Sequence, residues 1–134
     1  MATVGESGGD GAAARRTILL VDDEPDVRDV TALLLRRLGF EVLTAGSADE
    51  ALTLARGPQE IHLLMTDLSL TGAEGEGEAL ADSFNQIRPQ ARILFISGST
   101  DYEHAEGRPH PARAFLGKPF SVQELRRVTS ELLA

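Results

Sequence analysis

The chain has no cysteine and no tryptophan, and its aromatic side chains amount to five phenylalanines and one tyrosine in 134 residues. Without cysteine, disulfides, thiolate nucleophiles and cysteine-based zinc sites are excluded, and a reducing compartment such as the cytoplasm is compatible with the composition. Long apolar runs are also missing. None approaches the ~20 residues of a membrane-crossing helix, and the start, Met1 to Asp10, lacks the basic-then-apolar pattern of a secretory leader. Basic residues are scarce, 13 against 21 acidic, giving a formal charge of −8. Binding nucleic acid requires a basic face to neutralise phosphates, so the expectation is no nucleic-acid partner and no membrane insertion. A chain of this length suffices for one domain with its own core.

Residues 1–15, rich in Gly, Ala and Ser with few large apolar side chains, cannot offset the entropy of ordering and are expected to form a disordered tail ahead of a domain spanning 16–134. From Thr17 onward, short apolar runs alternate with helix-period segments, the pattern of a βα repeat and a parallel sheet. The strand runs are Thr17–Val21, Phe40–Ala45, Ile61–Thr66, Arg92–Ile96 and Ala114–Gly117. The first helix is predicted to start at Pro25, with Asp23 or Glu24 as its cap and Val27, Val30, Leu34 and Leu38 facing inward. Ser47 to Glu50 and Ser121 to Glu124 both read as capping boxes opening helices. Leu80, Phe84 and Ile87 form the inner stripe of a helix over 78–88, and Val122, Leu125, Val128 and Leu132 that of the last. Between Ser99 and Arg113, Gly107, Pro109 and Pro111 oppose a helix, so a short turn near Tyr102 to Ala105, or a loop, is expected there. Thr71 to Gly77 reads as a loop.

Polar residues stand where four of the strands stop: Asp22-Asp23, Asp67, Ser97-Gly98 and Lys118-Pro119. Parallel strands deliver their carboxyl ends to one edge of a sheet, where ligand chemistry collects. Each residue also has an ordinary reading. Asp22 and Asp23 are either helix-capping acids or hard oxygen ligands for a divalent cation. Asp67 is a turn cap or a nucleophile able to accept a phosphoryl group. Lys118 is a surface lysine or a charge against a phosphoryl oxygen. Ser97 is a turn residue or a hydroxyl donor to that phosphate, with Gly98 allowing close backbone approach. His62, His104 and His110 form no metal cluster in sequence and are expected to face solvent.

Leu19 to Pro25, Met65-Thr66-Asp67, Phe95 to Gly98 and Phe115 to Phe120, in this order and spacing, resemble the response-regulator receiver domain of two-component signalling over about Arg16 to Leu133. The resemblance implies a flavodoxin-like (βα)5 fold: a doubly wound, five-stranded parallel sheet of order 2-1-3-4-5, the fourth helix short or replaced by a loop. It implies that Asp67 accepts a phosphoryl group from a phosphohistidine on a histidine kinase or histidine phosphotransfer protein. Mg²⁺ or Mn²⁺ would be held by Asp23, Asp67 and the Ser69 backbone carbonyl, with Asp22 acting through water. Lys118 and Ser97 would bind the phosphate, and Ser97 and Phe115 would act as the switch toward a downstream protein. A cis Lys118-Pro119 bond is expected, Ser69 and Ser99 lie where phosphoryl lifetime is tuned, and a homodimer is compatible.

Thr71 departs from the proline common in receivers. The Ser97-Gly98 pair and the proline-containing segment after it resemble receivers attached to hybrid histidine kinases. No effector segment follows the last predicted helix, and the start at Met1 favours a stand-alone regulator over a receiver cut from a longer kinase. Three rivals are weaker. A Mg²⁺-dependent phosphohydrolase of the haloacid-dehalogenase type would carry a second Asp where Ser69 stands. A flavodoxin-like cofactor binder would need a phosphate loop where Asp22-Asp23-Glu24 stands. A phosphorylation-independent interaction module would need a damaged site. The domain is not expected to act as an enzyme on a separate substrate.

Overall fold

The computed structural model describes residues 15–70, 75–98 and 112–134. Its five strands are β1 (Thr17–Val21), β2 (Glu41–Ala45), β3 (Leu63–Asp67), β4 (Arg92–Ser97) and β5 (Arg113–Gly117). Four helices lie among the described residues: α1 (Pro25–Arg37), α2 (Ala48–Ala55), α3 (Glu76–Ile87) and α4 (Val122–Leu132). All strand pairs are parallel, in the order β2-β1-β3-β4-β5. The parallel sheet was expected from the alternation of apolar runs and helix-period segments, and its doubly wound, flavodoxin-like order is the one the receiver resemblance implied.

Side chains alternate across the sheet with a period of two, and each set meets a different helix layer. Leu19, Val21, Leu64, Ile93 and Phe95 pack with Ala51 and Ala55 of α2 and Leu80, Ala81 and Phe84 of α3. Ile18, Leu20, Leu63, Met65, Leu94 and Ile96 pack with Ala32 and Leu35 of α1 and Leu125 and Val128 of α4. Covering both faces accounts for β1 and β3 being fully buried apolar runs rather than alternating ones. Phe84 is completely enclosed, and its truncation to alanine removes roughly 3–5 kcal/mol.

Several local expectations are corrected. In α1 the buried residues are Thr31, Ala32 and Leu35, and Leu34 and Leu38, half-buried, pack against the core as expected, whereas Val27 and Val30 are exposed. Val122 is exposed as well, with Thr129 buried in the same helix. The Ser121-Glu124 capping box is complete. At α2 only half of it forms: Ser47 Oγ accepts from Glu50 N–H, but the Glu50 carboxylate accepts from Gly46 N–H (2.7 Å). β3 starts at Leu63 rather than Ile61. His62 is half-buried, not solvent-facing: its Nδ1 accepts from the Thr17 N–H (2.9 Å), satisfying a donor at the sheet edge. α3 begins at Glu76, two residues earlier than expected. The tail expected over 1–15 except Arg15, residues 71–74 of the expected loop, the segment replacing the fourth helix, Ser99, His104 and His110 lie outside the described residues.

Candidate functional site

The carboxyl ends of β1, β3, β4 and β5 bring Asp22, Asp23, Asp67, Ser97 and Lys118 to one edge. Asp22 follows β1 directly. Its N–H donates to the Ala45 carbonyl (3.1 Å) and its Oδ1 accepts from the Glu24 N–H (3.0 Å). The ordinary helix-start reading therefore holds for one oxygen of Asp22 and leaves the other free to act. Glu24, the residue ahead of Pro25, makes no side-chain cap. Asp67 ends β3, buried, with its neighbour's amide tied to the next strand by Leu68 N–H to the Ile96 carbonyl (3.0 Å).

One carboxylate oxygen from each of Asp22, Asp23 and Asp67 lies within 4.8 Å of the others. Lys118 Nζ is 2.9 Å from Asp67 Oδ1. The Lys118–Pro119 peptide is cis, and the Lys118 N–H donates to the Ser97 carbonyl (2.8 Å), which joins the ends of β4 and β5. Three carboxylates against one ammonium leave an excess of two negative charges, which a divalent cation matches. Hard carboxylate oxygens from two strand ends suit Mg²⁺ or Mn²⁺, so the residues fit the expected ion.

The electrostatics express this crowding. The Asp67 carboxyl is pushed up to about 6, first by burial and then by the charges of Asp22 and Asp23, against the opposing pull of Lys118. Burial works against the Lys118 ammonium, but its hydrogen bond and charge pairing with Asp67, assisted by Asp22 and Glu24, hold it above the usual lysine value. Burial is the main cause of the rise at Asp67, and the surplus of carboxylates around a single amine adds to it while holding Lys118 up.

An open cleft of about 330 Å³ is lined by Asp23, Glu24, Asp67, Ser69, Ser97, Gly98 and Lys118. Ser97 Oγ is buried and has no hydrogen-bond partner among the described residues. A buried hydroxyl left unpaired in a polar cleft is a donor available to an incoming oxygen. Among the described residues nothing lies within 4 Å of where a Gly98 β-carbon would be. Phe115 is not part of this cleft. It stacks on Phe95 (centroids 5.0 Å apart, 19° between planes), and the Arg113 guanidinium lies 6.0 Å from the Phe95 centroid. On the other side of Asp67, an apolar cleft of about 520 Å³ runs between α1 and Pro119-Phe120, with Val27 and Val30 on its wall.

Sequence reasoning missed two contributors. Gly77, assigned to a loop, is buried in the first turn of α3, and its N–H donates to the Leu68 carbonyl (2.7 Å). A β-carbon there would fall on the Asp67 carbonyl oxygen and within 2.6 Å of Leu68 Cα, so only glycine lets α3 seat against the backbone carrying Asp67. The glycine-rich composition of 71–77 carried the signal but reads equally well as a loop. Arg28, whose Nη1 donates to the Asp22 carbonyl (2.8 Å), had none.

The response regulator receiver domain pattern matches residues 18–130. Among curated relatives, the chain is 34% identical over 119 residues to the nitrogen assimilation regulatory protein NtrX of Azorhizobium caulinodans, covering 87% of this chain and 26% of NtrX. It is 31% identical over 119 residues to the sensor kinase CckA of Brucella abortus, covering 87% of this chain and 12% of CckA. The crystal structure of the receiver domain from the hybrid histidine kinase CckA superimposes with a TM-score of 0.69 at 36% identity, covering 87% of this chain and 98% of that one. The chain thus spans only 26% and 12% of the lengths of these two curated relatives.

Proposed function

The chain belongs to the response regulator receiver domain family, and on that premise we propose that it accepts a phosphoryl group on Asp67 from the phosphohistidine of a histidine kinase or histidine phosphotransfer protein. The functional unit on this reading is 16–134. In the transfer, a bond forms between an Asp67 carboxylate oxygen and phosphorus as the phosphorus–nitrogen bond of the donor breaks. The electron pair returns to the imidazole nitrogen, which takes a proton.

The observation that carries the reading is the combination at one strand edge of three clustered carboxylates, an ammonium on the central one, and a buried hydroxyl with no partner. Mg²⁺ or Mn²⁺, when bound, would neutralise the acids and polarise phosphoryl oxygens. Asp23, Asp67 and the Ser69 carbonyl would hold the ion, with Asp22 acting through water. Asp67 is the nucleophile because it is the carboxylate that lines the cleft together with Ser97 and is paired with Lys118 (2.9 Å). Lys118 pairs with the phosphoryl group and Ser97 hydrogen-bonds it, while Gly98 leaves its approach open. The apolar wall of Val27, Val30 and Phe120 beside Asp67 suits a donor helix. Ser97 and Phe115 then report the modified state to a downstream protein. The domain promotes only its own phosphorylation and dephosphorylation, and it works in the cytoplasm. Among the described residues no helix is long and apolar enough to cross a membrane.

The test is intact-mass spectrometry after incubation with phosphoramidate and Mg²⁺. A single phosphoryl adduct is expected, absent from Asp67→Asn and from a sample with chelator. Folded, Mg²⁺-binding protein that gains no adduct would contradict the proposal.

A further inference from the structure

The acidic pair after β1 must present two carboxylates at a fixed spacing, yet no hydrogen bond among the described residues holds the Asp23 side chain. Its position follows from the peptide that joins it to Asp22. That peptide is held from outside the loop. Its carbonyl, that of Asp22, accepts from Arg28 Nη1 at 2.8 Å, and the preceding peptide is fixed by the Asp22 N–H on the Ala45 carbonyl (3.1 Å). Arg28 belongs to the first turns of α1, and its own N–H closes on the Glu24 carbonyl (2.9 Å), so the helix that begins beyond the loop reaches back to hold the loop's start.

The guanidinium occupies a pocket made by the absence of a side chain. A β-carbon at Gly46 would lie 2.9 Å from Arg28 Nη1 and 3.8 Å from its Cζ. The Gly46 N–H in turn donates to Glu50 Oε1 (2.7 Å), which fixes the glycine against the start of α2. Gly46 comes from the loop after β2, so a second segment bounds the space that the Arg28 guanidinium fills.

We infer that Arg28 is a positioning residue for the divalent cation: through the Asp22 carbonyl, in the space Gly46 leaves open, it sets the orientation of the Asp22-Asp23 pair. The inference rests on the functional reading above. Arg28 touches neither the carboxylate oxygens nor the phosphoryl group, and as a cation near the site its charge alone opposes metal binding. Its benefit is geometric, and this separates the two effects. Groups that orient metal ligands typically change affinity by about 10–100-fold when removed.

The experiment titrates Mg²⁺ calorimetrically into the folded chain and three variants, with thermal melts confirming that each is folded. Gly46→Ala keeps every charge but displaces the flexible guanidinium, and is expected to weaken Mg²⁺ binding about tenfold. Arg28→Met is expected to do the same, with Arg28→Lys recovering part of the loss. At saturating Mg²⁺, the rate of phosphorylation by phosphoramidate is expected to return to within about twofold of the parent in all three, because only ion binding depends on Arg28. Unchanged or tighter Mg²⁺ binding in folded Gly46→Ala and Arg28→Met, beside a parent that binds the ion and is phosphorylated, would overturn the role of Arg28 alone. A folded parent that neither binds Mg²⁺ nor takes up a phosphoryl group would overturn the functional reading and this inference with it.

Discussion

At the amino-terminal edge of the sheet, the Arg88 guanidinium donates to the carbonyls of Ala55 (2.9 Å), Gly57 (2.9 Å) and Gln59 (2.7 Å), and His62 accepts the first N–H of β1. At the carboxyl-terminal edge, three carboxylates crowd within 4.8 Å and the buried Ser97 hydroxyl is left without a partner. Among the described residues the same fold thus meets most of its polar groups at the amino-terminal edge, where the buried Arg113 Nε is the exception, and at the other edge gathers three carboxylates beside an unpartnered hydroxyl. Unmet groups cost stability, so where they cluster, the local arrangement is serving a ligand rather than the fold.

Substitutions at the two edges should therefore separate stability from chemistry. The largest effect is expected from Gly77→Ala, because the added carbon meets backbone that cannot yield. Chemical denaturation should show a loss of roughly 3 kcal/mol, together with slower phosphorylation of Asp67. Arg88→Ala leaves three carbonyls without their donor and is expected to cost about 2 kcal/mol. In the same denaturation series its Mg²⁺ affinity should match the parent, since it acts at the opposite edge.

The carboxyl-terminal edge has a pH signature. Asp67 is raised from 3.8 to about 6 in the folded protein, so between those values the folded state binds more protons than the unfolded chain. Stability of the metal-free domain should therefore fall as pH rises through that window and level off above it. Thermal melts from pH 4 to 7.5 should show the slope in the parent and its loss in Asp67→Asn, which should also be the more stable of the two at neutral pH. Mg²⁺ at pH 7.5 should restore stability to the parent. The smallest effect belongs to Ser97→Ala. Removing an unpaired buried hydroxyl is expected to leave stability unchanged or slightly higher, while the decay of the phosphorylated form, followed by mass, changes.

The strands and the edge residues were legible because buried parallel strands are continuous apolar runs, and the polar residue that stops each run is conspicuous. Asp22, Asp23, Asp67, Ser97 and Lys118 come together as the strand ends required. What was not legible depended on packing between segments distant in sequence. Val27 and Val30 looked like a core stripe, but the buried face of α1 runs through Thr31, Ala32 and Leu35, and the two valines stand on the wall of the apolar cleft. Gly77 looked like loop punctuation because its reason lies in the Asp67 backbone across the gap. His62 looked like a surface histidine because its partner, the Thr17 N–H, is 45 residues away. Arg28 acts on a carbonyl, which carries no residue-specific signal.

The most direct test of the contrast between the two edges is to locate the modification. After reaction with phosphoramidate and Mg²⁺, borohydride reduction converts an aspartyl phosphate to homoserine, and peptide mapping reads its position. The account predicts homoserine at residue 67 and at no other aspartate, dependent on Mg²⁺. Homoserine at a different position, or its appearance at residue 67 without a divalent cation, would contradict it.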